Sequence, residues 1–126
     1  MDRERFEKLV AQAVESLPEE FREKLQNIDV VIEALPSRAQ LRQARISGGL
    51  ILLGLYEGVP LIRRDSHYGM VPPDKITIFQ KNIEARCAGG EEMEIREEVQ
   101  RTVRHEIAHH FGIGDARLKQ IEDEKR

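Results

Sequence analysis

One stretch near the C-terminal end limits what this chain can fold into more than any other: His105-Glu106-Ile107-Ala108-His109-His110-Phe111-Gly112-Ile113-Gly114-Asp115, which holds three of the four histidines. It reads H-E-x-x-H-x-x-G-x-x-D. Residues four apart on a helix lie almost above one another, so His105 and His109 present two imidazoles to one point in space. Glu106, between them, reaches a water bound to any cation held there. The fold must therefore supply a helix with one side bedded in a core and the other open to a cleft. At about 100° per residue, Val99, Val103, Ile107 and Phe111 form the bedded band, and Thr102, His105, Glu106 and His109 a neighbouring polar one. Gly112 is placed to end the helix in a left-handed conformation, with Ile113 folding back on the last turn.

A chain of 126 residues, 40% hydrophobic, has room for one core, so residues 1–126 are expected to form a single domain. Twenty basic and 23 acidic residues leave a net charge of −3, which gives no field for nucleic acid or for a membrane surface. The charged start Met1–Lys8 is not that of a secretory signal, and the run Leu50–Leu55 falls far short of a membrane span. The lone Cys87 rules out an internal disulfide, and a reducing, cytoplasmic setting is expected.

Residues 2–16 carry Phe6, Leu9, Val10, Ala13 and Val14 at helical spacing behind a capping Asp2, and a second short helix restarts at Pro18 with Phe21 and Leu25 facing inward. Ile28–Leu35 is β-branched and ends at Pro36, as a largely covered strand would. Ser37–Arg45 is read as either an exposed loop with a helical turn or a disordered flap. A second strand is expected over Leu50–Tyr56, its glycines marking a bulge or a close backbone approach. Pro72-Pro73-Asp74 turns into a third strand, Lys75–Lys81, whose neighbouring prolines and terminal lysines resemble the devices of an edge strand. Ala88-Gly89-Gly90 breaks the chain, Glu91–Phe111 is helical, and Ala116–Arg126 reads as a terminal helix anchored by Leu118 and Ile121.

A hydrolytic zinc ion takes three protein ligands and leaves a fourth position open. His105 and His109 supply two, and Asp115, brought back after the turn at Gly112, is the best candidate for the third. Asp115 could instead cap the final helix, leaving Glu122 or Glu124 as third ligand. Glu106 is assigned the part of general base on the metal-activated water. His110 points about 100° away from His109 and is read as a structural histidine on the core side. Cys87 is read as a thiol without a role in the site.

The spacing of His105, Glu106, His109, Gly112 and Asp115 resembles the extended zinc signature of zincin metallopeptidases, in its variant with aspartate as third ligand. The whole chain, including Pro72–Phe79, resembles a family of small bacterial zincin-like metallopeptidases. The resemblance implies an α+β minimal zincin-like domain: a small mixed sheet with an edge strand over a cleft, and the site helix beneath it. It implies one zinc ion and a peptide or protein substrate lying extended along that edge strand, here Ile76–Gln80. Two features depart from zincin patterns. No methionine follows Met93 to make a methionine turn, and Ala116–Arg126 holds no tyrosine or histidine to stabilise an oxyanion, which leaves Tyr56, His67 and Tyr68 upstream. Two other readings stand beside the peptidase: a metal-stabilised binding module without turnover, and a metallo-hydrolase acting on RNA. The second shares the ligand spacing of ribosomal-RNA maturation nucleases, but those lack a glutamate after the first histidine and end on histidine.

Overall fold

The computed structural model describes residues 1–44, 51–58, 74–112 and 120. Helix α1 (Arg3–Glu15) starts where expected: the Asp2 carboxylate accepts from the Arg5 N–H at 2.8 Å. Its buried residues Phe6, Leu9, Val10 and Ala13 keep to one stripe. Helix α2 (Glu19–Lys24) follows with Pro18 at its cap, and a single 3-10 turn, Leu25–Asn27, delivers the chain to strand β1 (Ile28–Glu33). Ser37 and Gln40 form a reciprocal capping box that opens helix α3 (Arg38–Gln43), the helical turn expected there. Strands β2 (Gly54–Glu57) and β3 (Asp74–Phe79), then helices α4 (Gln80–Arg86) and α5 (Glu92–Phe111), complete the described elements. The fold is mixed α+β around a small mixed sheet, as the sequence implied.

The sheet order is β1-β3-β2, with β1 parallel and β2 antiparallel to β3. This exchanges two expected places. The strand read as an edge, β3, is central, and the strand read as covered, β1, is an edge among the described strands. Burial gives the reason: Ile76, Thr77, Ile78 and Phe79 are all fully buried, so both faces of β3 are covered. Ile76 and Ile78 join the main core with α1, α2 and α5. Phe79 joins Leu52 and Leu55 in a second cluster, against which Leu41 and Ala44 of the α3 region pack. The lysine that suggested an edge, Lys75, stands in register with Asp29 on one neighbour and Glu57 on the other, so acidic residues flank it within the sheet. The outer edge of β1 is partly covered from α1, where the Arg3 guanidinium donates to the Ile32 carbonyl.

The third strand stops at Phe79, not Lys81, and α4 begins at once. Ile83 and Cys87, four apart and both buried, carry the helical spacing that the strand reading passed over. Gly90 has φ +70°, at the break expected around Ala88–Gly90. Helix α5 ends at Gly112 in the left-handed region, φ +69°, with the Gly112 N–H bonded to the Ala108 carbonyl. The expected loop around Arg63–Gly69, the turn at Pro72-Pro73 and the fold-back of Ile113 lie outside the described residues. Of the expected terminal helix only Gln120 is described, and it is helical.

Candidate metal and catalytic site

Helix α5 is oriented by its apolar band. Val99, Val103 and Ile107 are fully buried and Ala108 nearly so, which fixes the roll of the helix and leaves His105 and His109 exposed on its open side. Phe111 does not continue the band. It is 44% exposed, because α5 overruns the core by its last turn, and Lys24 Nζ lies over its ring at 5.0 Å. Thr102 is likewise not part of an open polar face: it is buried, its hydroxyl donating to the Glu98 carbonyl at 2.8 Å.

The rings of His105 and His109 stand 6.2 Å apart between centroids, with planes at 84°. Two exposed imidazoles one turn apart on a helix are of the residue type that could supply nitrogen ligands to a metal ion. Among the described residues no three His, Cys, Asp or Glu side chains gather tightly enough to hold a metal ion. Asp115, Glu122 and Glu124, the candidates for the third ligand, lie outside the described residues, as do His67 and Tyr68.

Strand β2 forms the wall beside these histidines, and Gly54 is what lets it come close. A Cβ on Gly54 would lie 2.5 Å from Thr102 Cγ2 and 3.1 Å from the Thr77 carbonyl oxygen. With no side chain there, β2 settles directly on α5, the close backbone approach anticipated for this glycine-bearing run. Two residues on, Tyr56 sits opposite Ile76 in the antiparallel register, and its N–H turns outward to Glu106 Oε1 at 2.7 Å. Glu106 is thus held by strand and helix together. Burial pushes its carboxyl above the usual range, while the Tyr56 N–H, His109 and His105 pull it back part of the way.

The Tyr56 side chain is equally engaged. Its hydroxyl donates to Asp74 Oδ2 at 2.7 Å, and its ring stacks on His110 with centroids 3.7 Å apart and planes at 13°. His110 is therefore an exposed residue packed on an aromatic face, not a histidine on the core side. On the other face of the sheet, Glu57 Oε1 accepts from Gln40 Nε2 at 2.9 Å and from Thr77 Oγ1 at 3.1 Å, tying β2 to α3 and β3.

His105, Glu106 and His109 are brought together with Tyr56 of β2. Sequence reasoning had named Tyr56 only for its hydroxyl and Asp74 only as a turn residue. The backbone N–H that meets Glu106 has no sequence signature, because every residue except proline carries one. The strand beside Glu106 is β2 (Gly54–Glu57); Ile76–Gln80, read as an edge, lies instead in the central strand and the first residue of α4. No helix among the described residues is long and apolar enough to cross a membrane. Compared with models of protein families, residues 25–125 match one described as zincin-like metallopeptidase. No curated protein matches the chain.

Proposed function

The chain belongs to the zincin-like metallopeptidase family, and from that premise we propose that it hydrolyses peptide bonds with one zinc ion held by His105, His109 and Asp115. The observation that carries this reading is the standing of Glu106. It lies one residue from His105 and three from His109 along α5, half-buried against β2, and is anchored by the Tyr56 N–H at 2.7 Å. A site whose only task was to hold metal would have no use for a carboxylate fixed in that place.

When bound, zinc supplies Lewis-acid chemistry, making a water acidic enough to ionise near neutral pH and polarising a carbonyl. The protein's own groups do the rest. Oε1 of Glu106 is engaged by Tyr56, so Oε2 takes the proton from the attacking water and returns it to the departing amine. The raised affinity of this carboxyl for protons suits both halves of that transfer. An extended peptide lies along the outer side of β2, where the Gly54 backbone and the Tyr56 carbonyl face away from β3, while the Tyr56 N–H stays with Glu106. That places a scissile bond between the strand edge and the two histidines.

The test compares zinc-loaded wild type with Glu106→Gln on a diverse library of quenched fluorescent peptides. Wild type is expected to cleave members of the library. The variant is expected to retain one zinc per chain by elemental analysis and to lose about 10²–10⁴-fold in kcat/KM. Wild type that binds zinc and cleaves nothing would make this a metal-held binding module. A zinc content near zero in wild type would remove both readings.

A further inference from the structure

We propose that Tyr56, braced by Asp74, is the positioning residue that sets where the Glu106 carboxylate stands, an inference that rests on Glu106 being the base of the proposed reaction. Several contacts converge on Tyr56, among them these three. Its N–H donates to Glu106 Oε1 at 2.7 Å, its hydroxyl donates to Asp74 Oδ2 at 2.7 Å, and its ring lies flat on His110 at 3.7 Å. One contact comes from the central strand and two from the last turns of α5, so Tyr56 is gripped from both sides of the cleft wall.

Such a grip matters because β2 is only four residues long and, among the described residues, is paired by β3 alone. A short edge strand twists and frays readily. A glutamate has three rotatable side-chain bonds, and proton transfer requires its oxygen within about 2.6–3.2 Å of the reacting atom. The Tyr56 N–H fixes one oxygen, and Asp74 fixes Tyr56. The sequence keeps the path of this brace clear at Gly58. A Cβ there would lie 2.8 Å from Tyr56 Cε1 and 3.2 Å from Asp74 Oδ1, between the two partners. Asp74 touches neither substrate nor metal in this scheme; it acts through Tyr56 and Tyr56 through Glu106.

The test uses the full chain, labelled with nitrogen-15, and follows the Tyr56 backbone amide in the metal-free protein. In wild type that amide is expected to resonate downfield and to exchange slowly with solvent. Glu106→Ala is expected to move it upfield and to speed its exchange at least about tenfold. Asp74→Ala should shift it in the same direction, and Asp74→Asn, whose side-chain carbonyl still accepts from the hydroxyl, should restore it. With zinc bound, the quenched-peptide assay should show Asp74→Ala lowering kcat about tenfold with KM within about twofold, zinc content unchanged and Asp74→Asn recovering the rate. If Asp74→Ala does not fold, Tyr56→Phe removes the same hydroxyl contact and carries the same expectations. A Tyr56 amide that ignores Glu106→Ala overturns the proposal. So does a pair of variants, Asp74→Ala and Tyr56→Phe, that both leave the amide and kcat as in wild type. Should wild type cleave no peptide, the proposed activity fails alone, and the amide still decides whether Tyr56 holds Glu106.

Discussion

Glu106 has to be near enough to water to exchange a proton and buried enough to want one. Burial raises its proton affinity above that of an ordinary carboxylate, against the opposing pull of the Tyr56 N–H and the two histidines. The linkage sign follows. A carboxyl whose folded value is raised favours the fold when protonated, so its contribution is fully present below the unfolded carboxylate value and is lost as pH rises through the folded one. The metal-free Tm of wild type should therefore fall over that interval. Glu106→Gln, which mimics the protonated form, should flatten this part of the profile and melt higher than metal-free wild type at pH 8. Equal slopes in calorimetric melts across the interval would contradict the assignment. At this scale the sequence was most legible where partners are neighbours along the chain. His105, Glu106 and His109 belong to one helix, and helical geometry alone gathers them. Tyr56 and Asp74 were not legible, because Glu106 meets Tyr56 across 50 positions through a backbone donor that any residue could offer.

The strands were legible as strands but not in their order. Prolines and lysines flanking β3 argue for an edge, yet Lys75 lies in register between Asp29 and Glu57, and residues 76–79 are buried on both faces. Charge at a strand end has two meanings, protection of an edge or pairing within a sheet, and only the neighbours distinguish them. β2 gives the clearest test at this scale, since its seat on α5 depends on the space above Gly54. Gly54→Ala would bring a methyl to 2.5 Å from Thr102 Cγ2. The strain is expected to cost about 2 kcal/mol, seen as a fall of roughly 8 °C in Tm. Thr102→Ser removes the clashing methyl and keeps the hydroxyl bond to Glu98, so the double variant should recover most of the loss. Additive losses in the double variant would mean that β2 does not rest on α5 as described. α4 was missed because the first two residues after β3 also suit a strand, whereas the helical spacing of Ile83 and Cys87 shows only when the window extends further.

At the scale of the fold, two apolar clusters among the described residues share the sheet: a larger one with α1, α2 and α5, and a smaller one beneath α3. The zincin-like α+β architecture was readable because apolar periodicity changes from helical to strand-like and back along the chain. We propose that residues 1–126 melt as one unit, and Cys87 is a built-in reporter. Its thiol is 7% exposed and belongs to the main core; burial pushes it up, and the charges of Glu98 and Glu94 add to that. Native protein should react with a disulfide reagent at least about 100-fold more slowly than denatured chain, and the reactivity should rise along the same transition that circular dichroism follows. The central claim concerns α5, and diffraction at the zinc absorption edge from crystals grown with equimolar zinc tests it most directly. One anomalous peak is expected about 2.1 Å from a ring nitrogen of His105 and of His109, with the Asp115 carboxylate completing the set. Zinc located elsewhere, or no peak beside these two histidines, would contradict it.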